Sequence, residues 1–268
     1  MTDTTPVRLA VATTSGSSGK TTTTVTLAAI LAEQGHRILV VDTDWQMDAS
    51  RWLGIDEGDL DGRVTLFEVL QDRSRIDQAV TASTVPGVDL LPASPELAKA
   101  ASKLGRLGTE RQLRRALDTV EDRYDIILID CRAGTELPTL AGLVAADAVI
   151  GATWAGVKEL RNTLSLTEYV DEIADGYDRP LPLVGVLPCN VPATGGAYRE
   201  ALAVAGDMFG DRLLPPVRHS VSVTEAHAQR RQLTSSRRWQ AVADDYRAVA
   251  SALVDLGVLP PTPAKVIA

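Results

Sequence analysis

Short apolar runs alternate along the chain with longer stretches in which apolar residues recur at helical spacing. The runs read as buried strands and the longer stretches as amphipathic helices. Strands are predicted over residues 7–13, 37–42, 88–92, 125–130, 148–153 and 182–188, with a short one over 213–217. Helices are predicted over 20–34, 109–121, 157–174, 198–209 and 236–256. Strand followed by helix, repeated, implies an α/β fold: a mostly parallel twisted sheet with helices on both faces. Residues 54–63 read as a polar, acidic loop, and the proline-rich tail is expected to fray from about residue 259. Neither an internal repeat nor a long linker divides the pattern, so residues 1–268 are read as one domain.

With 45% hydrophobic but only 4% aromatic residues, the core must be built mainly from Ala, Leu, Val and Ile. A net charge of −8 argues against a surface that coats nucleic acid or anionic membrane as a whole. Any polyanion site must be a local basic patch. Cys131 and Cys189 lie beside apolar runs and read as reduced core residues, which points to a cytoplasmic protein. His36, His219 and His227 show no metal-ligand spacing. The N-terminus carries no export signal, and no run is long enough to span a bilayer.

Chemistry first shows in the segment from Val11 to Thr22, where a predicted strand passes through a turn of small residues into a predicted helix. That is the setting of a phosphate-binding loop, whose backbone N–H groups and helix N-terminus face an anion. Ser15, Gly16, Ser17, Ser18, Gly19, Lys20, Thr21 and Thr22 are the expected nucleotide contacts. Lys20 would reach the β- and γ-phosphates, and the Thr21 hydroxyl would hold Mg²⁺. The leading glycine of G-x-x-x-x-G-K-[ST] is Thr14 here. Two further apolar runs end in acids, one at Asp42 and Asp44, the other at Asp130. Ligands bind beyond the carboxyl ends of strands in open α/β sheets. Asp130 therefore fits an acid orienting Mg²⁺, with Asp42 as a further metal contact. Asp44 fits the residue that positions an attacking water.

In order and spacing these segments resemble the ParA/MinD superfamily of deviant-Walker ATPases, and most closely its ParA branch. The resemblance rests on Gly19-Lys-Thr-Thr, on Val41-Asp-Thr-Asp-Trp-Gln46 for D-x-D-P-Q, and on the segments Thr65–Leu70 and Leu91–Ala98. Leu128-Ile-Asp-Cys131 and Val223-Thr-Glu-Ala226 complete it. It implies a P-loop NTPase fold and an ATP-dependent homodimer that binds nonspecific DNA and releases it on hydrolysis. It also implies a partner, a ParB-like or cargo-adaptor protein, that stimulates hydrolysis. Plasmids, chromosomes or protein cargo are positioned on the nucleoid in this way.

The chain departs from the family pattern at four places. The lysine that crosses the dimer falls at Ser15, and a loop glycine falls at Ser17. Trp45 replaces a proline, and Arg132-Ala-Gly replaces P-P-S. Some carboxysome-positioning relatives similarly lack the lysine and use one from the C-terminal half. Lys158, one of five lysines, is the corresponding candidate here, and Arg132 is a second. Loss of the lysine also leaves open a nucleotide-dependent assembly or regulatory switch with little hydrolysis.

Arg230, Arg231, Arg237 and Arg238, with Arg218 nearby in sequence, form the local basic cluster expected to hold DNA phosphates. The resemblance implies Asn190 as the adenine contact, a position where an asparagine could equally well cap a turn. The proline-broken tail disfavours a membrane-binding helix, and a strand predicted this near Met1 leaves no room for a preceding helix-turn-helix domain.

Overall fold

The computed structural model describes residues 5–13, 18–105, 107–192 and 196–263. Its strands are β1 (Val7–Ala12), β2 (Ile38–Asp42), β3 (Thr81–Ala82), β4 (Val88–Leu91), β5 (Ile126–Asp130), β6 (Ala148–Trp154) and β7 (Leu183–Cys189). They form one sheet in the order β3-β4-β2-β5-β1-β6-β7, parallel throughout except for the antiparallel edge strand β3. The longer helices of the first half are α1 (Lys20–Glu33), followed by the short α2 (Asp48–Trp52), α3 (Leu66–Gln71), α4 (Ile76–Ala79), α5 (Ala100–Leu104) and α6 (Gln112–Leu117). The second half carries α7 (Leu137–Ala145), α8 (Val157–Gly176), α9 (Gly196–Phe209), α10 (Val221–Ala228) and α11 (Gln240–Asp255). The P-loop NTPase fold expected from the sequence is the fold observed.

Apart from Arg8 and the terminal Asp42 and Asp130, the central strands are apolar because both faces of the sheet are covered. Ala10, Leu39, Val41, Ile127 and Ile129 point into one core with α3, α6, α7 and α8. Leu9, Val11, Ile38, Val40 and Leu128 point into the other, beneath α1 and α11. The helix α1 is buried along most of its length, from Thr23 to Leu31, so it lacks the polar face of a surface helix. Two of its buried threonines have partners: Thr23 Oγ1 lies 3.3 Å from the Tyr246 hydroxyl of α11, and Thr24 Oγ1 donates to the Lys20 carbonyl. At the opposite end of β1, the buried Arg8 pairs with Asp118 (2.7 Å) and Glu121 (2.8 Å), anchoring the central strand.

Four expectations about elements are corrected. Residues 213–217 form no strand, only isolated bridges from Leu213 to Val186 and from Arg218 to Val191. Pro215 and Pro216 lack the N–H groups a ladder needs. The helix expected over 109–121 is α-helical only from Gln112 to Leu117, with tighter turns on either side. The last helix begins at Gln240, after a single tight turn at Arg237–Trp239. The tail is not loose at 259, since Leu259 is buried in the α1–α11 core. The helix α7 was not anticipated because nearly all its residues are apolar, which erases a helical stripe. The helix α10 was hidden by its polar residues and is started by its cap, Ser220, whose hydroxyl accepts from Ser222 N–H.

Candidate nucleotide site

Parallel pairing sets β1, β2 and β5 in register, with Val11 beside Asp130 and Asp130 beside Asp42. Their carboxyl ends therefore open at one level, at a cleft of about 510 Å³. The cleft is of the size that small-molecule sites occupy. Ser18, Gly19, Lys20, Thr21, Asp44 and Arg132 line one end of it, and Asn190, Val217, His219 and Val223 line the other.

At the phosphate end, Gly19 has φ 88°, a left-handed backbone that glycine adopts without strain. A Cβ at this position would lie 3.0 Å from Cys189 Sγ. The chain then enters α1 at Lys20, so the free N–H groups of the helix start face the cleft. Thr21 Oγ1 donates to Asp130 Oδ2 at 2.7 Å, bringing together the hydroxyl and carboxylate expected for Mg²⁺. Ser18 Oγ is buried beside them with no protein partner, as suits a group waiting for a ligand oxygen. No cluster of three or more His, Cys, Asp or Glu side chains suited to a metal exists among the described residues. A hydroxyl with one carboxylate still fits Mg²⁺, which keeps several waters and takes its remaining ligands from substrate phosphates.

Asp42, the further metal contact expected from the sequence, has protein partners of its own. It is fully buried, and Ser50 donates to Oδ2 from its backbone N–H (2.9 Å) and its hydroxyl (2.6 Å). The Asp44 N–H donates to Oδ1 at 3.0 Å. These bonds occupy both oxygens and shape the turn that presents Asp44 to the cleft. Burial raises the Asp42 carboxyl well above the usual carboxylate range, against the pull of the Ser50 and Asp44 hydrogen bonds. Asp130 is raised by burial and by the charge of Asp42 beside it. Asp44, one-fifth exposed, is also raised by burial, although the Gln46 N–H, Arg132 and Lys20 favour its ionised form.

At the other end, Asn190 has φ 59° and its Oδ1 lies 2.6 Å from His219 Nδ1. Both residues line the cleft. Sequence reasoning missed His219 because its role depends on an approach between residues far apart in the chain. Helix α10 lines the cleft with Val223, Thr224 and His227, and Trp52 meets His227 edge-on at 5.0 Å.

Ser15, Gly16 and Ser17 lie outside the described residues. Thr22 lines the cleft, whereas Lys158 is exposed at the start of α8 and does not. The expected basic cluster divides. Arg218 belongs to the cleft rim and is bound to Asp245 at 2.7 Å. Arg231 and Arg238 sit over Trp239, with guanidinium carbons 5.5 and 5.2 Å from its ring centre, and Arg237 is exposed beside them. Arg230 pairs with Asp56 and Arg238 with Glu225. Much of the cluster's charge is therefore compensated in this conformation.

The AAA domain family matches residues 7–181. The chromosome partitioning protein ParA of Caulobacter vibrioides is 30% identical over 226 residues, covering 82% of this chain and 84% of that protein. Among solved structures, the ATP complex of Cyanothece McdA matches with a TM-score of 0.81 at 21% identity, over 97% of this chain and 100% of that one. At that identity the likeness is one of fold. Cobyrinic acid a,c-diamide synthase from Mycobacterium smegmatis, with bound ATP analogue and magnesium, matches with a TM-score of 0.79 at 31% identity. That match covers 97% of this chain and 100% of the synthase chain.

Proposed function

Since this chain belongs to the ParA/MinD superfamily of P-loop ATPases, we propose that it is a ParA-like ATPase that dimerises on ATP and binds nonspecific DNA. Hydrolysis of ATP would then position plasmid, chromosome or protein cargo along the nucleoid, under the stimulus of a ParB-like or cargo-adaptor partner. The observation that carries this reading is the convergence of Lys20, the Thr21–Asp130 pair and Asp44 at one end of a single cleft. Lys20 and the N–H groups opening α1 hold the β- and γ-phosphates. Mg²⁺ carried in with ATP, held by Thr21 and Asp130, would neutralise charge on the phosphates. Asp44 orients the attacking water, and Asn190, braced by His219, holds the base.

Arg231, Arg237 and Arg238 form the core of the DNA surface, where phosphates would replace Glu225 as the partner of Arg238. Lys158 lines none of its own chain's cleft, so as a substitute for the lysine at Ser15 it would act from the partner protomer. No helix among the described residues is long and apolar enough to cross a membrane. Both cysteines are buried, and burial pushes the Cys189 thiol up to about 12.

A nucleotide-dependent switch with little hydrolysis is the competing reading, favoured by Ser15 where the family carries lysine. Measuring ATP turnover with and without plasmid DNA, together with solution mass, separates the two. The expected result is a dimer on ATP, turnover raised severalfold by DNA, and loss of both in Lys20→Ala. Dimerisation without turnover would favour the switch. Absence of any ATP-dependent dimer would overturn the ParA-type reading.

A further inference from the structure

Two residues that depart from the family pattern, Trp45 and Arg132, meet in space. The Arg132 guanidinium carbon lies 3.4 Å from the centre of the Trp45 ring. Its Nε is 3.4 Å from Asp44 Oδ1, and its Nη1 is 3.0 Å from Glu136 Oε1. The residue is one-quarter exposed and lines the phosphate end of the cleft with Lys20 and Asp44. We propose that Arg132, supported on Trp45, is a same-chain cation for hydrolysis that steadies Asp44 and meets the charge of the transferring phosphate. The inference rests on the ATPase reading above.

The geometry favours an arginine specifically. A planar guanidinium can lie flat on an indole ring while its edges donate to acids, and the same fork matches phosphate oxygens. Its ion pairs with acids among the described residues use Nε and Nη1, which leaves the Nη2 edge for a ligand. Two acids and a ring thus fix a strong cation beside the carboxylate expected to orient water. A surface ion pair has no need of the cleft or the indole. In the step served, water oxygen bonds to the γ-phosphorus as the bond to the β,γ-bridging oxygen breaks. ADP leaves with that electron pair, and the water protons pass to phosphate and solvent.

The test uses the full chain with plasmid DNA and reads three quantities: ADP affinity, affinity for ADP–aluminium fluoride, and single-turnover ATP hydrolysis. Removing a preorganised charge-stabilising donor commonly costs about 100-fold in rate. Arg132→Ala is expected to lose at least tenfold in rate, on the conservative side of about 100-fold, and to lose the extra affinity for ADP–aluminium fluoride. Its ADP affinity should stay near wild type, which also reports that the variant is folded. Arg132→Lys should recover only part of the rate. Trp45→Leu should lower the rate with ADP affinity retained, and Trp45→Phe should fall between Trp45→Leu and wild type. If wild type hydrolyses ATP and Arg132→Ala matches it in rate and aluminium fluoride affinity, this inference is overturned while the ATPase reading stands. If wild type binds ATP but neither hydrolyses it nor favours ADP–aluminium fluoride over ADP, both fall together.

Discussion

Asp130 and Asp42 stand side by side in adjacent strands, both fully buried, and each resists ionisation through burial. A carboxyl whose folded-state pKa exceeds its unfolded value binds more protons when folded. Its contribution to stability is therefore greatest at low pH and declines as pH rises above the ordinary carboxylate value of 3.8. In nucleotide-free, Mg²⁺-free protein, Asp130→Asn should melt higher than wild type at pH 8, with the gap narrowing toward pH 4.5. Melting curves at several pH values check this, and a gap that widened toward acid would contradict it. His36, whose pKa burial lowers, works in the opposite sense, so the difference between variant and wild type is the informative quantity. Of the two, Asp130 also accepts the Thr21 hydroxyl at the phosphate end of the cleft.

Among elements, α1 links the phosphate site to the rest of the fold, and α11 is the helix that seats it. The side chain of Leu253 on α11 is fully buried in the core beneath the sheet. Leu253→Ala should cost about 2–5 kcal/mol, the range for a leucine truncated in a packed core. Chemical denaturation measures it. The folded fraction should still bind ATP, because Leu253 lines none of the cleft. This level also shows what the sequence made legible. Apolar runs ending at Asp42 and Asp130 located the strands and the level of the site, since a strand buried on both faces leaves a continuous apolar run. Gly19-Lys20-Thr21 marked the glycine turn that opens α1 at the cleft, because loop and helix start are local in sequence. Contacts between distant loops left no such trace: His219 on Asn190 and Arg132 on Trp45. The full burial of Asp42 was equally hidden, as Ser50, which donates to it, sits in a helix that begins several residues later.

At the scale of the whole molecule, a basic cluster survives in a chain of net charge −8. DNA binding by Arg231, Arg237 and Arg238 should weaken steeply with salt, and each lost contact should lower the log–log slope by about 0.9. Titrations of wild type and Arg237→Ala across a range of salt concentrations test this, and a slope unchanged in the variant would remove Arg237 from the surface. The helix α10 gives this surface a second meaning. Val223, Thr224 and His227 face the nucleotide cleft, while Glu225 holds Arg238 at 2.9 Å and accepts from Trp239 Nε1 at 3.1 Å. Trp52, also lining the cleft, donates to the Arg231 carbonyl at 2.9 Å. Under the proposed function, an occupant of the cleft and a polyanion would therefore both act on one short helix and one indole. Whatever factor ATP adds to DNA affinity, DNA must add the same factor to ATP affinity, because the two binding energies close a single thermodynamic cycle.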